Sequence, residues 1–243
     1  MTSGIALALD HADADLFDQL YRVWRKHRTR NMTLSTYYDG EAGLKDFGIS
    51  LPPQMRDIKS ALGWSAKGVH AVTDRSIFEG FVSTSGDELG ADQIADENDL
   101  EVEFPAAKVS SAVHGCSFLT VSQGDVLSGE PAQLIIPRAA DASAAILDPR
   151  RRELAGFLSV SGATGIGEPT GFVMYTRDKV VSLEKVSRVW GASWKASVIR
   201  NPLGRVSVAP LPHQYELSRP FGHTRLTRAS RGFADSGLRT IVR

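Results

Sequence analysis

At 243 residues, 42% hydrophobic and 23% charged, the chain has enough material to bury the core of one large domain or two small ones. Its 28 Lys and Arg balance its 28 Asp and Glu, so no net charge draws it toward nucleic acid or anionic membranes. Cys116 is the only cysteine, which excludes an intrachain disulfide and a cysteine-based metal cluster; it reads as a small buried hydrophobe.

The segment Ile5 to Leu9 is short and lacks a basic flank, so it does not read as a signal peptide. No apolar run approaches the ~18–20 residues that span a bilayer. Residues 12–30 read as a helix, with Leu16, Leu20, Val23 and Trp24 on one stripe. A second helical stretch over 31–38 ends at Tyr37-Tyr38-Asp39-Gly40, where glycine supplies a left-handed stop. Leu51-Pro52-Pro53 reads as an extended connector. A helix is expected over 65–76, capped by Ser65, with Ala66, Val69, Val72 and Thr73 on one face. A strand is expected over 77–83. Residues 89–115 read as mostly helical, with Pro105 starting or kinking a helix and Ala106, Val109, Ala112 and Val113 forming its apolar face.

From Ser117 the character changes. Ser117–Val121, Gln133–Ile136, Leu154–Ser159, Phe172–Thr176, Lys179–Leu183 and Trp194–Val198 are short β-like runs separated by turn residues. They suggest an antiparallel, hairpin-rich sheet, followed by an extended piece over 206–211. From Ser230 the chain reads helical, with Phe233, Leu238 and Ile241 as apolar positions. The fold class is therefore α+β: helices, a β block, then the start of a helix. The expected divisions are 1–115, 116–215 and 216–243. This is not the β-α alternation of a doubly wound nucleotide-binding fold.

Charge is uneven along the chain. Arg22, Arg25, Lys26, Arg28 and Arg30 form a basic cluster. Asp87 to Glu103 carries eight acids and no base, and Arg219 to Arg243 carries six arginines against one aspartate. Each block reads either as a solvated helix face or as a patch complementary to a neighbouring subunit, DNA or a motor protein.

Catalytic patterns are sparse. Ser161-Gly162-Ala163-Thr164-Gly165-Ile166-Gly167 is similar to the glycine-rich turn of short-chain dehydrogenases, which makes an NAD(P)-binding oxidoreductase the alternative reading. That loop needs a helix to begin where pyrophosphate would sit. Here it runs into Glu168 to Tyr175, which reads as a strand, so a hairpin turn is expected. The six histidines show no metal-ligand spacing and read as surface or packing residues. There is no Gly-x-Ser-x-Gly elbow and no Walker-type loop. Trp24, Trp64, Trp190 and Trp194 read as core or subunit-interface residues. No catalytic residue, cofactor or metal site is assigned.

An ordered set of short elements resembles the N-terminal, wing-region part of portal proteins, the head-to-tail connectors of tailed bacteriophages. They are Tyr37-Tyr38-Asp39-Gly40; Pro52-Pro53; Trp64 leading a helix toward Gly80-Phe81; Asn98 and Leu100 opening a helix that ends at Gly115; Ile135 to Arg138 with Ala145 to Pro149; Asn201 to Gly204; and Pro220-Phe221-Gly222. The match covers about 17–243. Pro105 inside a helical run and Phe221-Gly222-His223-Thr224 depart from the family pattern.

The resemblance implies a structural protein rather than an enzyme, with a minor capsid accessory protein as a further alternative. It implies self-association into a ring, a dodecamer when full-length, at one capsid vertex, with assembly in the host cytoplasm. Terminase, scaffolding, capsid and head-completion proteins are the implied partners. Double-stranded DNA would pass through without sequence specificity, and no membrane is involved. It also implies that clip, stem helices, tunnel loop and crown lie beyond this chain, in a truncated or split portal or one completed by a partner. The basic face (Arg22, Arg25, Lys26) and the acidic run are then expected on opposite sides of the subunit, meeting across neighbours.

Overall fold

The computed structural model describes residues 4–5, 8–42, 63–82, 90–165, 167–188 and 191–242. Pro52, Pro53, Asp87, Glu88 and Trp190 lie outside the described residues. The helices are α1 (His11–Tyr38), α2 (Trp64–Thr73), α3 (Ala91–Glu97), α4 (Leu100–His114) and α5 (Arg228–Val242). The strands are β1 (Cys116–Gln123), β2 (Gln133–Ala139), β3 (Ser143–Leu147), β4 (Leu154–Ala163), β5 (Pro169–Tyr175), β6 (Lys179–Arg188), β7 (Gly191–Arg200) and β8 (Val208–Pro212). The α+β class stands. The chain forms two compact units: 1–28, 120–122 and 141–209 make the first, and 29–119, 123–140 and 210–243 the second.

In the first unit, β3 to β7 form an antiparallel meander in chain order. Alternation places Leu158, Phe172, Met174, Val181 and Leu183 in one buried layer, in register Leu158↔Met174↔Val181 and Phe172↔Leu183. The first turns of α1 cover this layer with Phe17 and Leu20. Phe17 meets Phe172 edge-on at 5.4 Å, and Tyr21 and Trp24 approach the same ring. Gly156 in β4 leaves the space that Leu16 and Leu20 fill. The Trp24 indole N–H also donates to the Asp141 carbonyl at 2.8 Å.

In the second unit, Leu34 and Tyr37 from the end of α1 pack with Val69 of α2, Ala112 and Val113 of α4, and Leu226. Most of a three-stranded sheet, ordered β2-β1-β8, belongs here. The Ser117 hydroxyl donates to the Ala107 carbonyl, and that of Ser111 to the Leu211 carbonyl.

Several expectations need correction. Residues 11–38 form one helix rather than two, because no Gly or Pro interrupts them. Gly63, not Ser65, stands at the N-cap of α2; Ser65 is buried inside it, and Val72 faces solvent. Residues 77–82 form no strand; Ile77 and Val82 are exposed, and among the described residues no strand pairs with them. The 89–115 stretch breaks at Asn98-Asp99, where Asp99 has φ 48°, and not at Pro105, which sits within α4. The buried face of α4 runs through Ala107, Ser111, Ala112 and Val113, leaving Ala106 exposed. The β block is two sheets, because β8 returns to β1 rather than extending the meander. Strand β3 was absent from the sequence-based set of β runs. Of the apolar positions of α5, Phe233 is exposed and Leu238 is buried.

Candidate functional site

Several of the sequence-singled positions converge in the second unit. Gly40 closes α1: its φ is 73°, and the Glu41 N–H reaches the Thr36 carbonyl at 2.9 Å, the long bond of a Schellman stop. This stop fixes the two tyrosines before it. The Tyr37 hydroxyl donates to the buried Asp235 carboxylate at 2.8 and 3.0 Å, and the Arg231 guanidinium lies 5.6 Å from the Tyr37 ring centre. Helix α5 is thereby held to the end of α1. Tyr38 pairs its hydroxyl with His70 Nε2 at 2.9 Å, and His70 Nδ1 faces Asp74 at 2.9 Å. Burial first, then Asp39 and Asp74, push the Tyr38 phenol up. Asp39 itself is exposed.

Tyr37→Phe is expected to cost about 2 kcal/mol, because it removes a donor from a buried carboxylate. Urea unfolding of the two proteins measures it. An unchanged midpoint and slope would show that the hydroxyl does not hold α5.

Gly115 and Gly222 meet. The His213 N–H donates to the Gly115 carbonyl at 2.9 Å, and the His223 N–H to the His213 carbonyl at 2.9 Å. Pro220 sits second in a turn closed by the Gly222 N–H to the Arg219 carbonyl at 2.8 Å. Thr224 continues the seam, its hydroxyl donating to the Val113 carbonyl and accepting the Leu226 N–H. His213 Nε2 is enclosed and finds no hydrogen-bond partner among the described residues.

Burial, followed by Arg225, His223 and Lys108, holds the His213 imidazole below its ordinary value of 6.5. The unfolded chain therefore takes up this proton at higher pH than the folded one, and stability declines as pH falls below about 6.5. Glu216, 3.3 Å from His223 Nε2, is the nearby carboxylate. Thermal melts from pH 7 to 5 should show the decline, and His213→Gln should flatten it. A slope unchanged by that substitution would assign the effect elsewhere.

Asn98, singled out only as a helix opener, is a clamp. Its amide donates to the Ile94 carbonyl at 2.9 Å and the Gln133 carbonyl at 2.8 Å, and its side-chain oxygen accepts the Ile135 N–H at 2.7 Å. It replaces a helix bond at the α3–α4 break and ties that break to β2. Leu100 is buried beside it in sequence. Trp64 and Phe81 are exposed, and Gly80 has φ 109° near Asp92.

In the first unit, Gly204 has φ 63° and its carbonyl accepts the Arg177 Nε–H at 2.6 Å. Asn201 performs a similar duty that the sequence reading missed: its amide donates to the Arg205 carbonyl at 2.7 Å and its oxygen accepts the Leu203 N–H at 3.1 Å. The Asn-Pro-Leu-Gly pattern was its signal. Lys179 forms a 2.7 Å ion pair with Asp13, and that bond first of all raises the lysine's pKa.

The glycine-rich stretch is a hairpin turn between β4 and β5. Its bonds are Thr164 N–H to the Glu168 carbonyl and Gly167 N–H to the Thr164 carbonyl, both 2.8 Å. Strand β5 follows from Pro169, so no helix N-terminus is presented to a pyrophosphate, and the dinucleotide reading loses its motif. Arg28, counted in the basic cluster, is committed here: it donates to the Gly167 carbonyl at 2.9 Å and lies 5.1 Å from the Trp24 ring centre. Arg22 pairs with Asp18, while Arg25, Lys26 and Arg30 are exposed. Cys116 is buried, and burial pushes its thiol up to about 12, far from a nucleophile's range. Among the described residues no three His, Cys, Asp or Glu side chains gather as a metal site. Among the described residues no helix is long and apolar enough to cross a membrane.

The arrangement is that of an α+β protein whose special positions hold one segment of backbone to another. In sequence it is portal-like. It is 26% identical over 214 residues to the portal protein of Mycobacterium phage L5, covering 86% of this chain and 43% of that protein. It is 25% identical over 231 residues to the portal protein of Mycobacterium phage D29, covering 93% of this chain and 47% of that protein. The chain thus spans less than half the length of these curated relatives. No protein-family model matches it.

Proposed function

We propose that this chain is a phage portal protein, or the wing-region portion of one, and that it acts by forming a ring. Likeness to two portal proteins across 86% and 93% of the chain carries this reading. The ring would sit at a capsid vertex after assembly in the host cytoplasm. Double-stranded DNA would pass through it during packaging and ejection, while a terminase supplies the energy and scaffolding, capsid and head-completion proteins dock around it. The zero net charge supports a wall that does not grip DNA, since every phosphate neutralised adds affinity that sliding must overcome. The special residues are structural, and the protein is no enzyme.

The basic face at Arg22, Arg25 and Lys26 and the acids of α3 and α4 are complementary rim charges between neighbours. Exposed pairs of this kind contribute ~0–1 kcal/mol each, so closing a ring needs an apolar contact as well. Electron microscopy of the purified chain tests the reading. Annular particles with a central channel are expected; a field of isolated subunits at high concentration would contradict it.

A further inference from the structure

Two features of the second unit present exposed apolar side chains. The first is the loop between β1 and β2. A short 3-10 turn at Val126–Ser128 leaves Val126 63% and Leu127 100% exposed. The loop is braced to present them. Asp125 accepts the Leu127 N–H at 3.1 Å and the Ser128 hydroxyl at 2.7 Å, and Glu130 accepts the Asp125 N–H at 2.7 Å. The Ser128 and Glu130 N–H groups both return to the Asp125 carbonyl. The Ser128 hydroxyl bond first of all, with the Leu127 and Ser128 N–H groups, keeps the Asp125 carboxyl below its ordinary range, so it stays ionised. The loop is thus a rigid apolar knuckle flanked by two negative charges. A braced loop loses little entropy on binding.

The second feature is an open groove of about 410 Å³ between α2 and the start of α5. Trp64, Leu226, Phe233 and Arg225 line it, the Arg225 Nε–H donating to the Gly68 carbonyl at 2.7 Å. Trp64 is 56% and Phe233 73% exposed, far more than a structural role in this unit requires. Knuckle and groove are complementary in both character and sign: apolar and acid-flanked against apolar and arginine-flanked. The full exposure of Leu127 shows that the knuckle does not fill the groove of its own chain.

We propose that the Val126-Leu127 knuckle of one copy docks into the Trp64–Phe233 groove of a second copy. The contact is heterologous, so each copy offers one knuckle and one groove, and repetition gives a ring if the rotation closes and a filament if it does not. This names the interface of the ring proposed above and rests on that reading for the assembly of copies.

Sedimentation and light scattering of the full chain and of Leu127→Asp and Phe233→Asp test it. Both side chains are exposed, so both variants should melt like the parent. Each variant alone should remain monomeric. Their equimolar mixture should form a dimer and nothing larger, because one intact knuckle and one intact groove remain. Variants that assemble like the parent, a mixture that stays monomeric, or a parent monomeric at all concentrations would overturn the contact. Parent rings that survive both substitutions would overturn the contact and leave the ring reading standing. Parent dimers or open chains abolished by the substitutions would support the contact and sink ring closure.

Discussion

Gly222→Ala is expected to destabilise the second unit by about 3 kcal/mol or more. Gly222 has φ 64°, and a Cβ there would stand 2.2 Å from the His213 carbonyl oxygen and 2.8 Å from that of Gly115. Both are backbone atoms, so no side-chain rotation can relieve the clash. Relief requires opening the seam in which His213 bonds to Gly115 and His223 to His213. Gly204 is the internal control: its φ of 63° is nearly the same, but a Cβ there meets nothing within 4 Å. Gly204→Ala should therefore cost only the left-handed strain, ~1 kcal/mol. Denaturant unfolding of both variants separates backbone strain from steric exclusion. Equal losses would show that the seam is looser than described.

Asn98→Ala should cost about 3 kcal/mol. The substitution leaves the Gln133 carbonyl and the Ile135 N–H without the partners they have in the folded chain, in a region where Asn98 itself is buried. It also removes the bond to the Ile94 carbonyl that eases the α3–α4 break. Asn98→Asp keeps the acceptor for Ile135 but sets a carboxylate oxygen against the Ile94 and Gln133 carbonyls, and should cost at least as much as Asn98→Ala. Hydrogen exchange at Ile135 gives a local reading: its protection should drop in Asn98→Ala before global unfolding. Unchanged protection would mean that the clamp is not what holds β2.

Fold class and most strands were legible because period-2 alternation and turn residues are local signals. Phe172 to Thr176 and Lys179 to Leu183 lie within or overlap β5 and β6, and the Gly162–Gly167 stretch is the turn its flanking strand pattern implied. Residues 77–83 looked like a strand for the same local reason, yet a strand exists only with a partner, and among the described residues 77–82 have none. β3 was hidden by its small residues, Ser143-Ala144-Ala145, whose place is set by β4 rather than by their own propensity. Pro105 misled because losing one helix bond is tolerable when tertiary packing fixes α4, whereas the left-handed Asp99 ends a helix outright.

The special positions were legible as punctuation and not as partners. Gly115 read as a helix end and Gly222 as part of a short turn, but their meeting across more than a hundred residues depends on where β8 returns. Asn98 read as a helix opener and Asn201 only as part of a family-like Asn-Pro-Leu-Gly run; their clamping of distant carbonyls follows from burial, which one sequence does not display. Leu127 carried no signal at all, since an exposed leucine and a core leucine are the same letter.

Copies of this chain are proposed to close into a ring. The most direct test is the solution mass of the purified chain by light scattering, at several concentrations and at low and high salt. One discrete species at a fixed multiple of 26.3 kDa is expected, unchanged by dilution over the range where it persists and only weakly sensitive to salt. A folded monomer at every concentration, or a mass that climbs without limit, would contradict it.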